Sequence, residues 1–133
     1  MAASIAQWIV RLTGATQVIL GLLFWSGRAF ALLRFHMLIG MTFVIALWTL
    51  AALAARAGVR RRWVLLAVTW GLVIPVFGML HPRLLPGPAH WVARALHLLI
   101  GVAAMLIAAR LAGYIRKRRD TGSSSAADVL SAA

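Results

Sequence analysis

Four long apolar stretches, separated by short charged or proline-containing segments, dominate the pattern of hydrophobic and polar positions along the chain. A helix needs about 20 apolar residues to cross a hydrocarbon core of roughly 30 Å. The pattern therefore predicts four membrane-spanning helices, at about residues 4–26, 31–56, 62–80 and 89–115. Pro75 is expected to bend the third helix, because proline removes a backbone N–H from the helix interior.

The same pattern divides the chain into one transmembrane domain and a tail. Residues 1–119 hold the four apolar stretches, whereas 120–133 are mostly small and polar and predict a disordered cytoplasmic tail. We interpret the first stretch as a spanning helix and not as a cleavable signal peptide, because it is long and has no cationic leader before Arg11.

Composition strengthens the membrane assignment. The chain is 63% hydrophobic and 12% charged, with a mean hydropathy of +0.93, whereas soluble domains carry about 25% charged residues. A net charge of +12 would suggest nucleic-acid binding in a soluble chain. In a membrane protein the cationic residues first mark topology, so we expect the lipid bilayer as a partner and no nucleic acid.

The distribution of Lys and Arg predicts an orientation. Nine lie between helices 2 and 3 or near the end of helix 4, and four lie at the opposite end. The nine are Arg56, Arg60, Arg61, Arg62, Arg110, Arg116, Lys117, Arg118 and Arg119, and the four are Arg28, Arg34, Arg83 and Arg94. Because cytoplasmic loops carry the excess of Lys and Arg, we expect a multi-pass protein of the inner (plasma) membrane with cytoplasmic N- and C-termini.

An internal repeat relates the second and fourth helices. His36 is followed four residues later by Gly40, and His97 by Gly101, with the two histidines 61 residues apart. The repeat predicts an all-α membrane four-helix bundle made of two pseudo-repeated helical hairpins in parallel orientation. Such an arrangement brings His36 and His97 to equal depth on equivalent helix faces.

The residue types limit the chemistry available in the membrane. The chain has no cysteine, and its two acidic residues, Asp120 and Asp128, lie in the predicted tail. Thiolate metal sites, disulfides and carboxylate catalysis within the spans are thereby excluded. Histidines inside apolar spans become the main functional candidates, since intramembrane ionisable groups are costly.

The two His-x-x-x-Gly pairs predict a haem b site. Residues i and i+4 share a helix face, so Gly40 and Gly101 leave space for a macrocycle beside His36 and His97, the expected axial ligands of the iron. The alternative is that the glycines are packing notches between helices.

Four further side chains are secondary candidates at the same end. Arg34 and Arg94 precede the paired histidines and are expected to bind haem propionates, with phospholipid headgroup anchoring as the alternative. His90 and His81 are candidates for propionate contact, a second metal or simple hydration at the interface. A zinc site made from these two alone lacks a third ligand.

On His36, Gly40, His97, Gly101 and the four-span architecture of residues 1–119, the chain resembles the four-helix b-type membrane cytochromes. The resemblance implies haem held between helices and electron exchange with quinones, superoxide or redox partners. Many members bind two haems with histidines on both membrane faces. Here all four histidines lie on or toward one side, which implies one haem at most.

We therefore expect electron transfer between an extracytoplasmic-side partner, such as a redox protein, and membrane quinone. If the protein is an enzyme, it is expected to be a membrane oxidoreductase. Two alternatives stay open, namely a haem carrier or sensor and a non-catalytic accessory or structural subunit of a membrane complex. Glycine notches on the first and third helices would equally suit a homodimer.

Overall fold

The computed structural model describes the backbone of residues 2–131 and the side chains of residues 2–120. Its four helices are α1 (Ala2–Trp25), α2 (Leu33–Arg56), α3 (Arg61–Leu80) and α4 (His90–Ser131). Single 3₁₀ turns occupy Phe30–Leu32, His81–Arg83 and Gly87–Ala89 in the connecting segments. No strand occurs in the described backbone, and the predicted all-α class is confirmed.

The helix bounds follow the predicted spans closely, except at the end of α4. Its helical backbone continues to Ser131, into the segment 120–133 for which the sequence predicts a disordered tail. The side chains of residues 121–133 lie outside the described residues. The tail assignment therefore stays a prediction.

All four helices are long and apolar enough to cross a membrane. Their outward faces carry large apolar side chains, of which Leu38 is 66% exposed, Met79 64% and Leu106 63%. Exposed apolar surface on every helix is unfavourable in water and suits contact with lipid. The fold is thus that of a multi-pass membrane protein with a lipid-facing exterior.

The helices pack as two hairpins laid against each other. α1 packs beside α2 and α4, α3 packs beside α2 and α4, and α2 also contacts α4 across the bundle. We call the end with the connections 26–32 and 81–89 the histidine end. The end with the connection 57–60 and residues 110–119 of α4 is the arginine end.

The core is closed most tightly toward the arginine end. Leu47, Leu50 and Ala54 of α2 are fully buried against Leu111 and Ala112 of α4. Alanines at such contacts let membrane helices approach closely. This packing fixes α2 against α4 below the histidine end, where a cavity lies between the same helices.

Two tryptophans near the middle of the bundle join neighbouring helices. The Trp48 indole N–H donates to the Val68 carbonyl at 3.2 Å, linking α2 to α3. The Trp70 indole N–H donates to the Ile100 carbonyl at 2.9 Å, linking α3 to α4. Both indoles therefore satisfy their N–H within the apolar bundle, although Trp48 is partly exposed on its surface.

Gly71→Ala is expected to destabilise the bundle, because an added Cβ would overlap the Trp48 indole nitrogen and disturb its bond to Val68. Overpacking of this kind costs about 1–3 kcal/mol. Gly113→Ala is the matched control, since its Cβ would meet nothing within 4 Å. The measurement is reversible unfolding in mixed micelles, and equal stability of the two variants would contradict the expectation.

Candidate functional site

The four histidines of the chain form one continuous row of rings at the histidine end. The ring centres of His36 and His97 are 6.3 Å apart, those of His97 and His81 5.0 Å, and those of His81 and His90 6.0 Å. His97 and His81 are nearly parallel, with an interplanar angle of 4°. We call this set the histidine row.

Two different features assemble the row. The sequence repeat places His36 in the first turn of α2 and His97 in the second turn of α4, and these two helices touch across the bundle. The connection 81–89 then folds back on itself, with Leu85 and Gly87 at positive φ, so that His81 and His90 stack. The meeting of His36 with His97 follows the repeat, whereas the addition of His81 was not predicted.

Hydrogen bonds fix the tautomer of the two outer histidines. Nδ1 of His81 donates to the Gly78 carbonyl at 2.9 Å, and Nδ1 of His90 donates to the Leu84 carbonyl at 3.1 Å. A carbonyl oxygen only accepts, so each Nδ1 carries the hydrogen. In their neutral forms both rings therefore keep a lone pair on Nε2.

The two inner histidines lack such partners. Nδ1 of His36 and Nδ1 of His97 are buried without a hydrogen bond, and so is Oε1 of Gln17. All three residues line one cavity of about 60 Å³ inside the bundle. Since buried polar atoms are nearly always bonded, a polar group bound in this cavity would satisfy these atoms.

Gly40 and Gly101, equivalent in the repeat, have different surroundings. The Gln17 side-chain amide lies in the notch at Gly40 and donates to the His36 carbonyl at 2.8 Å. At Gly101 an added Cβ would meet nothing within 4 Å. An added Cβ would therefore be accommodated at Gly101 but not at Gly40, although both glycines line the cavity beside the histidine pair.

A third glycine lies against the site. A Cβ at Gly78 of α3 would come within 3.2 Å of Cε1 of His97. From the sequence, Gly78 is expected only as one of the packing notches on the third helix. The same approach of α3 to His97 puts the Phe77 ring 6.0 Å from the imidazole, nearly parallel to it.

Phenylalanine also orients the other imidazole. Phe24 of α1 packs edge-on to His36, with ring centres 5.3 Å apart and an angle of 68°. One phenylalanine ring packs against each imidazole, which restricts the rotation of His36 and of His97 and limits the access of water to them. Neither phenylalanine is distinguished in the sequence by more than its general hydrophobicity.

The arginines at this end have no counter-ion among the described side chains. Arg34 is exposed and Arg94 half-buried, and neither has a hydrogen-bond or ion-pair partner among the described side chains. Arg28 and Arg83 likewise have no such partner among the described side chains. Carboxylates of a cofactor and phosphates of lipid would both suit them, as the sequence predicts.

Within the residues that the structure describes, no group of three or more His, Cys, Asp or Glu side chains has the arrangement to hold a metal ion. His36 and His97 are neighbouring imidazoles on two packed helices and would offer two donor nitrogens, the number that an axially bound haem iron requires from the protein.

No protein family, curated protein or solved structure matches this chain. The assignment of function therefore depends on the histidine row, the cavity beside it and the apolar bundle around both.

Proposed function

We propose that this protein is a small integral membrane redox protein that binds haem b between His36 and His97. The supporting observation is the pair of neighbouring imidazoles, whose ring centres are 6.3 Å apart and whose Nδ1 atoms are buried and unpartnered.

The donor atoms suit haem b, whereas the space beside them suits it only in part. A cavity of about 60 Å³ is far smaller than the macrocycle. Haem binding therefore requires α2 and α4 to move apart near the histidine end, with the open notch at Gly101 as the starting point. We therefore expect haem loading to widen the gap between α2 and α4 at the histidine end, in addition to giving the protein a haem absorption spectrum.

The roles of the side chains follow from their positions. His36 and His97 would hold the iron as neutral imidazoles, and Arg34 and Arg94 would bind the propionates through charge-assisted hydrogen bonds. Phe24 and Phe77 would keep the two rings oriented. When bound, the haem supplies one-electron redox chemistry.

The outer histidines would carry protons between this centre and the surface. His81 stacks on His97, and His90 continues the row toward the connection 81–89. Each outer imidazole can accept a proton on Nε2 and release one from Nδ1. Quinone reduction consumes protons and quinol oxidation releases them, so a proton path beside the electron carrier would serve this function in either direction.

We also propose an orientation of the bundle in the membrane. With the arginine end in the cytoplasm by the positive-inside rule, the N- and C-termini are cytoplasmic and the histidine end faces outward in the inner membrane. Electrons would then pass between an extracytoplasmic redox partner and membrane quinone.

The function is tested by mixing the haem-loaded protein in lipid nanodiscs with a reduced quinone analogue and following the haem absorbance by stopped flow. Rapid reduction of the haem supports electron transfer. Stable haem binding without reduction, together with transfer of haem to apomyoglobin, would favour a carrier or sensor. Copurification with stoichiometric partners, unchanged by His36→Ala or His97→Ala, would favour an accessory subunit.

His81→Ala is expected to slow the reduction of the haem by quinol by about 100-fold. This factor is the lower end of the range for losing a positioned proton donor or acceptor. The haem content should not change. The rate is expected to fall because the variant interrupts the stacked row between His97 and His90. Arg83→Lys, in the same turn, is the control and should react at the normal rate. An unchanged rate in His81→Ala would contradict the proton path.

A further inference from the structure

A second cavity, of about 400 Å³, lies at the arginine end. It is formed where α4 passes the connection 57–60 and the first turn of α3. Four basic and two aromatic side chains line most of it: Arg60, Arg62, Lys117, Arg118, Trp63 and Tyr114.

The cavity is strongly cationic. Asp120 is the only acidic residue among those whose side chains are described, and it is exposed at the end of that range. Arg118 donates to the Gly58 carbonyl at 3.2 Å, so one cation is already tied between α4 and the connection 57–60. Clustered cations in a concave site attract anions much more strongly than single surface charges do.

The aromatic side chains hold two further guanidinium groups in place. Arg62 and Arg110 lie over the Trp63 ring, with Cζ 5.8 and 5.9 Å from its centre. Tyr114 packs against the same indole, at 5.9 Å between ring centres. Cation–π contacts of this kind orient arginines without neutralising their charge.

The helix α3 adds a partial positive charge to the same wall. Its N-cap residue, Arg60, makes no side-chain capping bond, and its first turn contains no acidic residue. Uncapped N–H groups at the start of a long helix, with the helix dipole behind them, favour a phosphate. Arg60 and Arg62, which flank this start, both line the cavity.

We propose that the cavity binds the phosphate of an anionic phospholipid headgroup. Trp63 and Tyr114 lie at the ends of membrane-spanning segments, where aromatic rings meet the headgroup region. Basic pockets between transmembrane helices are suited to lipid phosphates with two negative charges. The lipid would bridge α3 and α4, and the site is independent of the haem proposal.

The test is lipid binding by the purified full-length chain, followed by native mass spectrometry with cardiolipin, phosphatidylglycerol and phosphatidylethanolamine. The protein is expected to retain the anionic lipids and to release phosphatidylethanolamine. Arg60→Gln/Arg62→Gln should weaken cardiolipin binding by about 25-fold, because it removes two charges that each contribute roughly five-fold to the affinity. Arg60→Gln alone, which changes no capping bond, should weaken it by about five-fold.

Arg11→Gln/Arg56→Gln is the matched control, because it removes the same charge from two exposed positions that do not line the cavity. Equal losses in both double variants, or no loss in either, would overturn the proposal. Glycerol phosphate at the same concentration serves as the soluble competitor. Its displacement of the lipid would show that a free phosphate compound, and not a membrane lipid, is the ligand.

Discussion

Replacing His36 or His97 by alanine is expected to reduce the haem bound by the purified protein to background. Each imidazole would supply one of the two axial bonds. His81, the nearest other imidazole, is stacked parallel on His97, so its nitrogens do not face that ring across a metal. Substitution of groups that merely support a metal ligand already lowers affinity by about 10–100-fold. Loss of the ligand itself should therefore exceed about 100-fold, measured by titrating the apoprotein with haem in nanodiscs.

The outer histidines provide the control for this prediction. His90→Ala removes an imidazole from the same row, but its ring centre is two steps away from the His36–His97 pair. Haem affinity should stay at the level of the unaltered protein. If all histidine variants bind haem equally, the haem is held elsewhere and the assignment of His36 and His97 is wrong.

Gly101→Leu is expected to weaken haem binding by about 10–100-fold, because a leucine there would fill the open side of the histidine pair. The first atom of the added side chain meets nothing within 4 Å, and unfolding of the haem-free protein measures whether the rest of the leucine is accommodated. Haem titration and unfolding of the same variant separate the two effects.

Gly113→Leu is matched to this variant, because it adds the same side chain to open space on the same helix, away from the cavity. It should leave haem affinity unchanged. A second comparison uses Gly40→Ala, whose Cβ would overlap the Gln17 amide. Gly40→Ala should therefore lower the stability of the protein. Unchanged haem affinity in Gly101→Leu would contradict entry of the macrocycle on the Gly101 side.

The sequence predicts the parts of this fold that depend on a single helix or on a repeat. Apolar runs define the four spans because lipid requires about 20 such residues in each. The duplicated His-x-x-x-Gly pattern predicts that His36 and His97 meet, since equivalent positions in parallel hairpins lie at equal depth. Both features are readable without knowing how any side chain is rotated.

What the sequence could not predict depends on contacts between helices. Gln17 enters the notch at Gly40 because α1 packs against α2 at that height, whereas the equivalent notch at Gly101 stays open. His81 joins the row through the fold of the connection 81–89. Neither spacing nor composition distinguishes the two glycines or places His81 on His97.

The scarcity of acidic residues gives the two ends of the bundle their different chemistry. At the histidine end, arginines without partners among the described side chains lie at the same end of the bundle as the His36–His97 pair. At the arginine end, cations and aromatic rings form a cavity suited to phosphate. In both places the missing negative charge would come from a bound molecule.

The measurement that tests the central proposal most directly is the reduced-minus-oxidised absorption spectrum of the protein purified from haem-replete cells, with the haem quantified per chain. The proposal predicts a b-type difference spectrum and one haem for each chain. Colourless protein, folded and retaining its lipids, would contradict it.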